Sequence, residues 1–311
     1  MNKNSIKIFA PATISNIGPG YDIFGLALHG IGDTIELNWV ENNRIEIAPI
    51  AGFPDIPLDP EKNIASIVAQ KMLNQVNESR GLRITISKNV MPGSGLGSSG
   101  SSAAGVAFGL NQLLNNKFSQ LELIDFAMQG EAALAGKAHA DNVAPALMGG
   151  FTIVKGYQPL EVFKIPFPEE MHIAVVHPQV EVKTSEARKL LPDRVTLEDH
   201  TKQGGNIAGM IAGMTTKNYE LIKASMQDLI AEPKRAQLIP AYEEAKATAL
   251  KNNAIACSIS GSGPSIFAFT KTESEANLIC EVWEALYDKH QIPTKTYTSL
   301  INGEGCKVLK D

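Results

Sequence analysis

Between two regular hydrophobic patterns the chain carries a stretch almost without large side chains. It reads Met91-Pro92-Gly93-Ser94-Gly95-Leu96-Gly97-Ser98-Ser99-Gly100-Ser101-Ser102. Before it, Leu82, Ile84 and Ile86 alternate with Arg83, Thr85 and Ser87, which predicts a strand. After it, Ala103–Leu114 is rich in Ala and Leu and predicts a helix. A glycine-rich strand-to-helix junction lets backbone N–H groups converge, and the helix dipole adds positive potential there. Ser98, Ser99, Ser101 and Ser102 add hydroxyls, as donors or as a magnesium ligand. The chemistry implied is phosphate binding.

Other uses of such a loop fit less well. Gly95-x-Gly97-x-x-Gly100 matches the dinucleotide fingerprint literally. However, the helix is followed by a second helical pattern, not a strand, and the motif lies far into the chain. Gly95 and Gly100 have Walker spacing, but Ser101 stands where the Walker lysine belongs. No G-x-S-x-G elbow of a serine hydrolase is present. A flexible linker would not be flanked by periodic segments on both sides.

The rest of the chain mixes strands and helices without regular β-α alternation, so the expected class is α+β. Ile6–Ala10 is a strand broken by Pro11-Ala12-Thr13, and Gly18-Pro19-Gly20 is a tight turn. Asp33–Val40 and Arg44–Ala48 read as a hairpin turning at Glu41-Asn42-Asn43. Phe53–Pro60 is a loop and Glu61–Asn77 a helix. Ser119 and Glu122 form a capping box for a helix to about Ala135. Met148–Lys155 and Met171–His177 are strands. Helices are expected near Ser185–Leu191, Thr201–Thr215, Tyr219–Ala231, Pro240–Lys251 and Glu273–Lys289. The remaining strands are Ile255–Ser260, Ser265–Thr270 and Thr294–Ser299, the first two flanking Gly261-Ser262-Gly263-Pro264.

At 311 residues this is one large domain or two. The net charge of −5 argues against a nucleic-acid or anionic-membrane surface. Cys257, Cys280 and Cys306 are scattered, without zinc-site spacing, which fits a reduced cytoplasm. There is no signal-like segment and no run of about 18 apolar residues, so no membrane span is expected.

Pro92-x-x-Gly95-Leu96-Gly97-Ser98-Ser99 resembles the phosphate loop of the galactokinase, homoserine kinase, mevalonate kinase and phosphomevalonate kinase superfamily, the GHMP kinases. One departure is visible. The family usually has Ala-Ala after the paired serines, and here Gly100-Ser101 stand there, so the helix is expected to begin slightly later. Ala10–Asp22 resembles the family's first motif and Ser260–Ser265 its third. Within the superfamily, Asn16-Ile17-Gly18-Pro19-Gly20-Tyr21-Asp22 resembles the homoserine kinase branch. So do Glu131, His139–Ala146 with Gly149-Gly150, and Lys183–Arg188. The resemblance implies a two-domain fold. Residues 1–160 would form a domain like ribosomal protein S5 domain 2, and residues 161–311 a ferredoxin-like domain. It also implies ATP, Mg²⁺, L-homoserine as acceptor in threonine biosynthesis, a cytoplasmic enzyme, and a possible homodimer.

An amino-acid alcohol needs a carboxylate clamp and an ammonium acceptor. Arg188 and Arg235 suit the first through forked, charge-assisted bonds. Asn16, Asp22 and His139 offer polar partners for ammonium and hydroxyl. By resemblance, Asp22 hydrogen-bonds the reacting hydroxyl, while Asn142, Thr184 and the Gly261 backbone complete the acceptor pocket. Ser99 and Glu131 resemble the magnesium ligands, Asn63 an adenine contact, and Pro92–Ser102 the phosphate cradle. Asp141 matches the catalytic aspartate of mevalonate kinases, a place where homoserine kinases are thought to do without a strong base. The catalytic set implied is Asn16, Asp22, Glu131, Asp141 and Arg188.

Each residue also has a plain structural alternative. Asn16 closes an Asx turn, Glu131 is a solvated helix residue, and His139 is an ordinary loop residue. Asp141 caps a helix, Thr184 or Ser185 caps the next one, and the two arginines join surface ion pairs. Three rival functions stay open: a superfamily kinase with another acceptor, a dinucleotide-dependent oxidoreductase, and a non-catalytic nucleotide-binding regulator.

Overall fold

A computed structural model describes residues 4–136 and 139–310. Two sheets with helices on their faces make an α+β architecture. The first sheet is built on two long strands, β1 (Ser5–Ser15) and β2 (Phe24–Val40), paired antiparallel. The expected break at Pro11 is absent. The strand runs through it, and the pairing register shifts between Pro11 and Thr13 instead. A shift of this kind accommodates a residue that has no N–H to donate.

The predicted hairpin of Asp33–Val40 with Arg44–Ala48 is also absent. β4 (Gly81–Ser87) lies between them, antiparallel to β2 and parallel to β3 (Ile45–Ile47). Alternation shows that a segment is a strand but not which neighbour it pairs with. β5 (Phe151–Tyr157) pairs with β2, and β6 (Leu160–Ile165), unpredicted, pairs with β5. β11 (Lys307–Val308), also unpredicted, returns the chain end to β1.

Four helices cover this sheet: α1 (Ile64–Gln75), α2 (Ser98–Leu113), α3 (Gln120–Ala135) and α4 (Ala140–Met148). Their apolar faces, including Val68, Met72, Ala107, Leu110 and Ile124, pack against Ile8, Ile35, Leu37 and Ile84. The Ser119–Glu122 capping box forms as predicted. α2 starts at Ser98, earlier than expected, so the paired serines form its first turn.

The second sheet is antiparallel, in the order β10 (Thr294–Leu300), β7 (His172–Pro178), β9 (Ile266–Thr270), β8 (Ala256–Ile259). Both of its faces are buried. Ala174 and Val176 face α9 (Tyr242–Lys251) and α10 (Glu273–Lys289) through Ala245, Trp283 and Tyr287. Ile173 and Val175 face the other way. They share a core with Ile14, Phe24 and Phe151 of the first sheet, and with Met210, Met214 and Ile222 of α6 (Leu197–Thr216) and α7 (Tyr219–Ser225). This common core fixes one sheet on the other, and the glycine loops lie at their junction. α7 ends at Ser225, short of the predicted Ala231. Two short helices, α5 (Thr184–Lys189) and α8 (Glu232–Arg235), bring the predicted arginines to the same junction.

Candidate active site

The N-terminus of α2 opens into a cleft of about 360 Å³. Its N-cap, Gly97, has a left-handed backbone (φ 62°) and no side chain to cap the helix, so the first-turn N–H groups are left for a ligand. A Cβ there would lie 1.9 Å from Thr13 Oγ1, and one on Gly95 would lie 2.6 Å from the Ser260 carbonyl oxygen. Only glycine allows this close approach of loop to loop.

Three sequence motifs interlock around the opening. Thr13 N–H donates to the Leu96 carbonyl, and Ser260 Oγ to that of Gly95 (2.7 Å). Ser265 N–H donates to the Ser94 carbonyl, and Gly261 N–H to that of Ser15. Asn142 ties α4 to the first motif, accepting from Thr13 Oγ1 at 2.8 Å and donating to Ser15 Oγ at 3.0 Å.

Most of the predicted site residues meet in this cleft: Asn16, Asp22, Asn63, Glu131, His139, Asp141, Asn142, Thr184, Arg188, Arg235 and Gly261. Pro92, Gly93, Gly95, Gly97, Ser98, Ser99 and Ser102 of the loop join them. Four predicted contacts do not line it. Ser94 Oγ and the Leu96 side chain turn inward to shape the loop, and Ser101 Oγ donates to the Pro11 carbonyl. Gly100 is buried, close to Asn142. Asn63 lines the cleft, yet its amide is engaged, capping α1 through Ala65 N–H and donating to the Pro57 carbonyl. The apolar end of the cleft around it is formed by Ile50, Ile56, Pro57, Ile64 and Ile86.

At the other end the side chains are polar. Arg188 makes a two-pronged ion pair with Asp22 at 3.1 and 3.0 Å, and its Nη2 lies 3.0 Å from His139 Nε2. Asn16 accepts from the Asp22 N–H and donates to the Gly261 carbonyl, so it braces the loop across six residues rather than closing an Asx turn. Arg235 is 3% exposed, which removes the surface ion-pair alternative, and donates to the same Gly261 carbonyl at 2.8 Å. Thr184 is the first residue of α5, not its cap, and its Oγ1 lies 3.2 Å from Ser262 Oγ. Asp141 lies inside the first turn of α4, behind an N-cap at His139. Burial, with the Asp22 charge beside it, pushes the Asp141 carboxyl up to about 7.

Ser99 Oγ donates to Glu131 Oε1 at 2.6 Å, and burial holds the Glu131 carboxyl above the usual range. A hydroxyl and a cation-poor carboxylate at the phosphate end form a donor set that suits a hard divalent ion. Among the described residues no group of three His, Cys, Asp or Glu side chains could hold a metal ion.

Sequence reasoning missed Lys88. Its ammonium is 3% exposed and bonds Asp33, the Ser98 carbonyl (2.8 Å) and Ser102 Oγ (3.0 Å). Asp33, fully buried, also accepts from Asn89 and Val90 N–H. The signal was a lysine directly after an alternating strand, just ahead of the glycine run.

Residues 63–150 match the GHMP kinases N terminal domain, and residues 210–289 match the GHMP kinases C terminal. The chain belongs to the GHMP kinases. Membership implies ATP as phosphoryl donor and a small-molecule acceptor, and removes the dinucleotide reading of the glycine loop. The chain is 39% identical to the homoserine kinase of Chlorobium phaeovibrioides, over 98% of this chain and 99% of that protein. It is 44% identical to the homoserine kinase of Methanococcus vannielii, over 86% and 88%. The crystal structure of homoserine kinase from Cytophaga hutchinsonii superposes with a TM-score of 0.96 at 41% identity, covering 99% and 98%. Among the described residues no helix is long and apolar enough to cross a membrane.

Proposed function

We propose that this chain transfers the γ-phosphoryl group of ATP to the side-chain hydroxyl of L-homoserine, giving O-phospho-L-homoserine for threonine biosynthesis. One observation carries the reading. The Arg188–Asp22 ion pair lies in the same cleft as the open N-terminus of α2. Opening that pair creates one cationic and one anionic subsite, the charges an α-amino acid needs. The acceptor's carboxylate takes the Arg188 fork with Arg235, and its ammonium and hydroxyl take Asp22. The homoserine kinase relatives at 39–44% identity support the same acceptor.

The α2 N–H groups and the loop backbone cradle the phosphates, and the apolar end of the cleft receives the adenine. Ser99 and Glu131 would hold Mg²⁺, which neutralises charge on the phosphate oxygens when bound. Asp22 orients the acceptor hydroxyl in line with the γ-phosphorus. The oxygen–phosphorus bond forms as the bond to ADP breaks. In a loose transition state the hydroxyl proton leaves late, to an oxygen of the transferred phosphoryl group or to water, so a strong base is not required.

On this reading the chain divides near residue 160 into an N-terminal and a C-terminal unit, with the cleft between them. The enzyme works in the cytoplasm, as its three buried free cysteines support. The test is ADP release from Mg-ATP with L-homoserine, L-serine, mevalonate, galactose or no acceptor. Turnover is expected to be strongest with L-homoserine. ATP binding without acceptor-dependent turnover overturns the assignment and favours a regulator.

A further inference from the structure

Tyr21 lies between Gly20 and Asp22 in the first motif, and no part of the scheme above uses it. Its ring lies beneath two cations at once. The Arg188 guanidinium carbon is 5.4 Å from the ring centroid and that of Arg235 is 4.9 Å. Both distances fall within cation–π reach. The two arginines come from separate elements, α5 and α8. The Arg188 charge acts against protonation of Arg235, adding to the effect of burial. Arg188 has the Asp22 carboxylate as counter-ion. Arg235 has no ion pair among the described residues. Its Nη1 donates to the Gly261 carbonyl, and its buried Nε has no partner. Besides that single carbonyl and the more distant charges of Asp22 and Asp228, the ring face is what contacts the Arg235 cation. The Tyr21 hydroxyl makes no hydrogen bond among the described residues, so the ring, not the hydroxyl, does the holding.

We infer that Tyr21 is a positioning residue for the acceptor: its ring face holds Arg188 and Arg235 together as one clamp for a carboxylate. The inference rests on the proposed reading, in which those two arginines receive the acceptor's carboxylate. Two guanidiniums fixed at one ring stay side by side when the Arg188–Asp22 pair opens, so they do not have to be gathered as the anion arrives. An acceptor with no carboxylate gains nothing from that arrangement, so Tyr21 contributes selectivity as well as affinity.

The test keeps shape and varies the ring's charge distribution. Tyr21→Phe is compared with mono-, di- and trifluorinated phenylalanines at the same position, in the full chain. Fluorine withdraws density from the ring face with little change in size. Tyr21→Phe is expected to match the parent. The KM for L-homoserine is expected to rise stepwise with fluorination, about five- to thirtyfold across the series. The KM for ATP and the melting temperature stay constant, which a merely structural role for the ring does not predict for the acceptor. A flat acceptor KM across the series, in an enzyme that turns over L-homoserine, overturns the role of Tyr21 alone. Absence of turnover in the parent enzyme overturns the acceptor assignment, and this inference with it.

Discussion

Asp141 is a carboxylate placed where a carboxylate is costly. It is 4% exposed and makes no ion pair among the described residues. Burial and the Asp22 charge raise its pKa from 3.8 to about 7, Glu131 adds to the rise, and a Ser15 hydrogen bond and Arg188 pull it back. The consequence for stability has a definite sign. Between these two values the unfolded chain has lost the proton while the fold retains it, so stability falls as pH rises through that window. Below pH 3.8 there is no penalty, and above 7 it is constant at roughly 4 kcal/mol, from about 1.4 kcal/mol per pKa unit. Asp141→Asn mimics the protonated form and removes the penalty. The variant is expected to be more stable than the parent by about 4 kcal/mol at pH 8, and by less than about 2 kcal/mol at pH 5. For a chain of this length, 4 kcal/mol is a rise of about 6 °C in melting temperature. Paired thermal scans at the two pH values, without ligand, measure it. Groups that do not interact with Asp141 titrate alike in both proteins and drop out of the difference, and the charged neighbours Asp22, Glu131 and Arg188 change it only through the same coupling. A stability difference that does not change between pH 5 and 8, or a destabilised variant, refutes the reasoning.

Three further outcomes follow from the same geometry. Lys88→Met strands the buried Asp33 carboxylate and is expected to cost about 3–5 kcal/mol in urea unfolding, with Lys88→Met/Asp33→Asn recovering part of the loss. A double variant no better than the single one would contradict that account. Asp22→Ala is expected to lower kcat/KM for the acceptor far more than Asp141→Ala, which stays within about tenfold because a true general base contributes 10²–10⁴; the reverse order of rates sinks the orienting role of Asp22. Glu131→Gln is expected to raise the Mg²⁺ concentration needed for half-maximal turnover by about tenfold or more while the acceptor KM holds, and an unchanged Mg²⁺ requirement removes Glu131 from the metal site.

Much of the site was legible because its signals are local. A glycine run between a strand and a helix announces an anion site whatever surrounds it, and the Ser119–Glu122 box lies within one helical turn. Pairing was not legible. Arg44–Ala48 follows Asp33–Val40 closely enough to suggest a hairpin, but β4, from over thirty residues further on, takes the place beside β2. The pattern says which residues are buried, and a distant strand decides against what. α4 was hidden for another reason: His139–Pro145 carries polar residues and a proline in its first turns, so its apolar face is short. Lys88 escaped because a lysine after a strand normally reads as solvated. Its partner Asp33 is 55 residues away in sequence, and only the fold brings the two charges together.

The charges near the cleft then separate into two kinds. Lys88 and Asp33 satisfy each other and the surrounding backbone, and they fix β2, β4 and the first turn of α2 as one unit. Asp141, Glu131 and Arg235 are not satisfied in that way: two carboxylates are held above their usual pKa range, and a guanidinium Nε has no partner. Backbone strain collects at the same place, with Asn16, Ile17 and Asp22 at φ 72°, 42° and 55°, the last beside Tyr21. For a fully buried β-branched residue such as Ile17 that conformation is unfavourable, and interlocking with the other two loops is what maintains it. A chain that obeys packing and pairing rules elsewhere thus concentrates its exceptions where a phosphate, a divalent ion and a zwitterion can compensate them. The self-satisfied pair keeps the loop in place between turnovers, and the unsatisfied groups are those that a ligand has reason to engage.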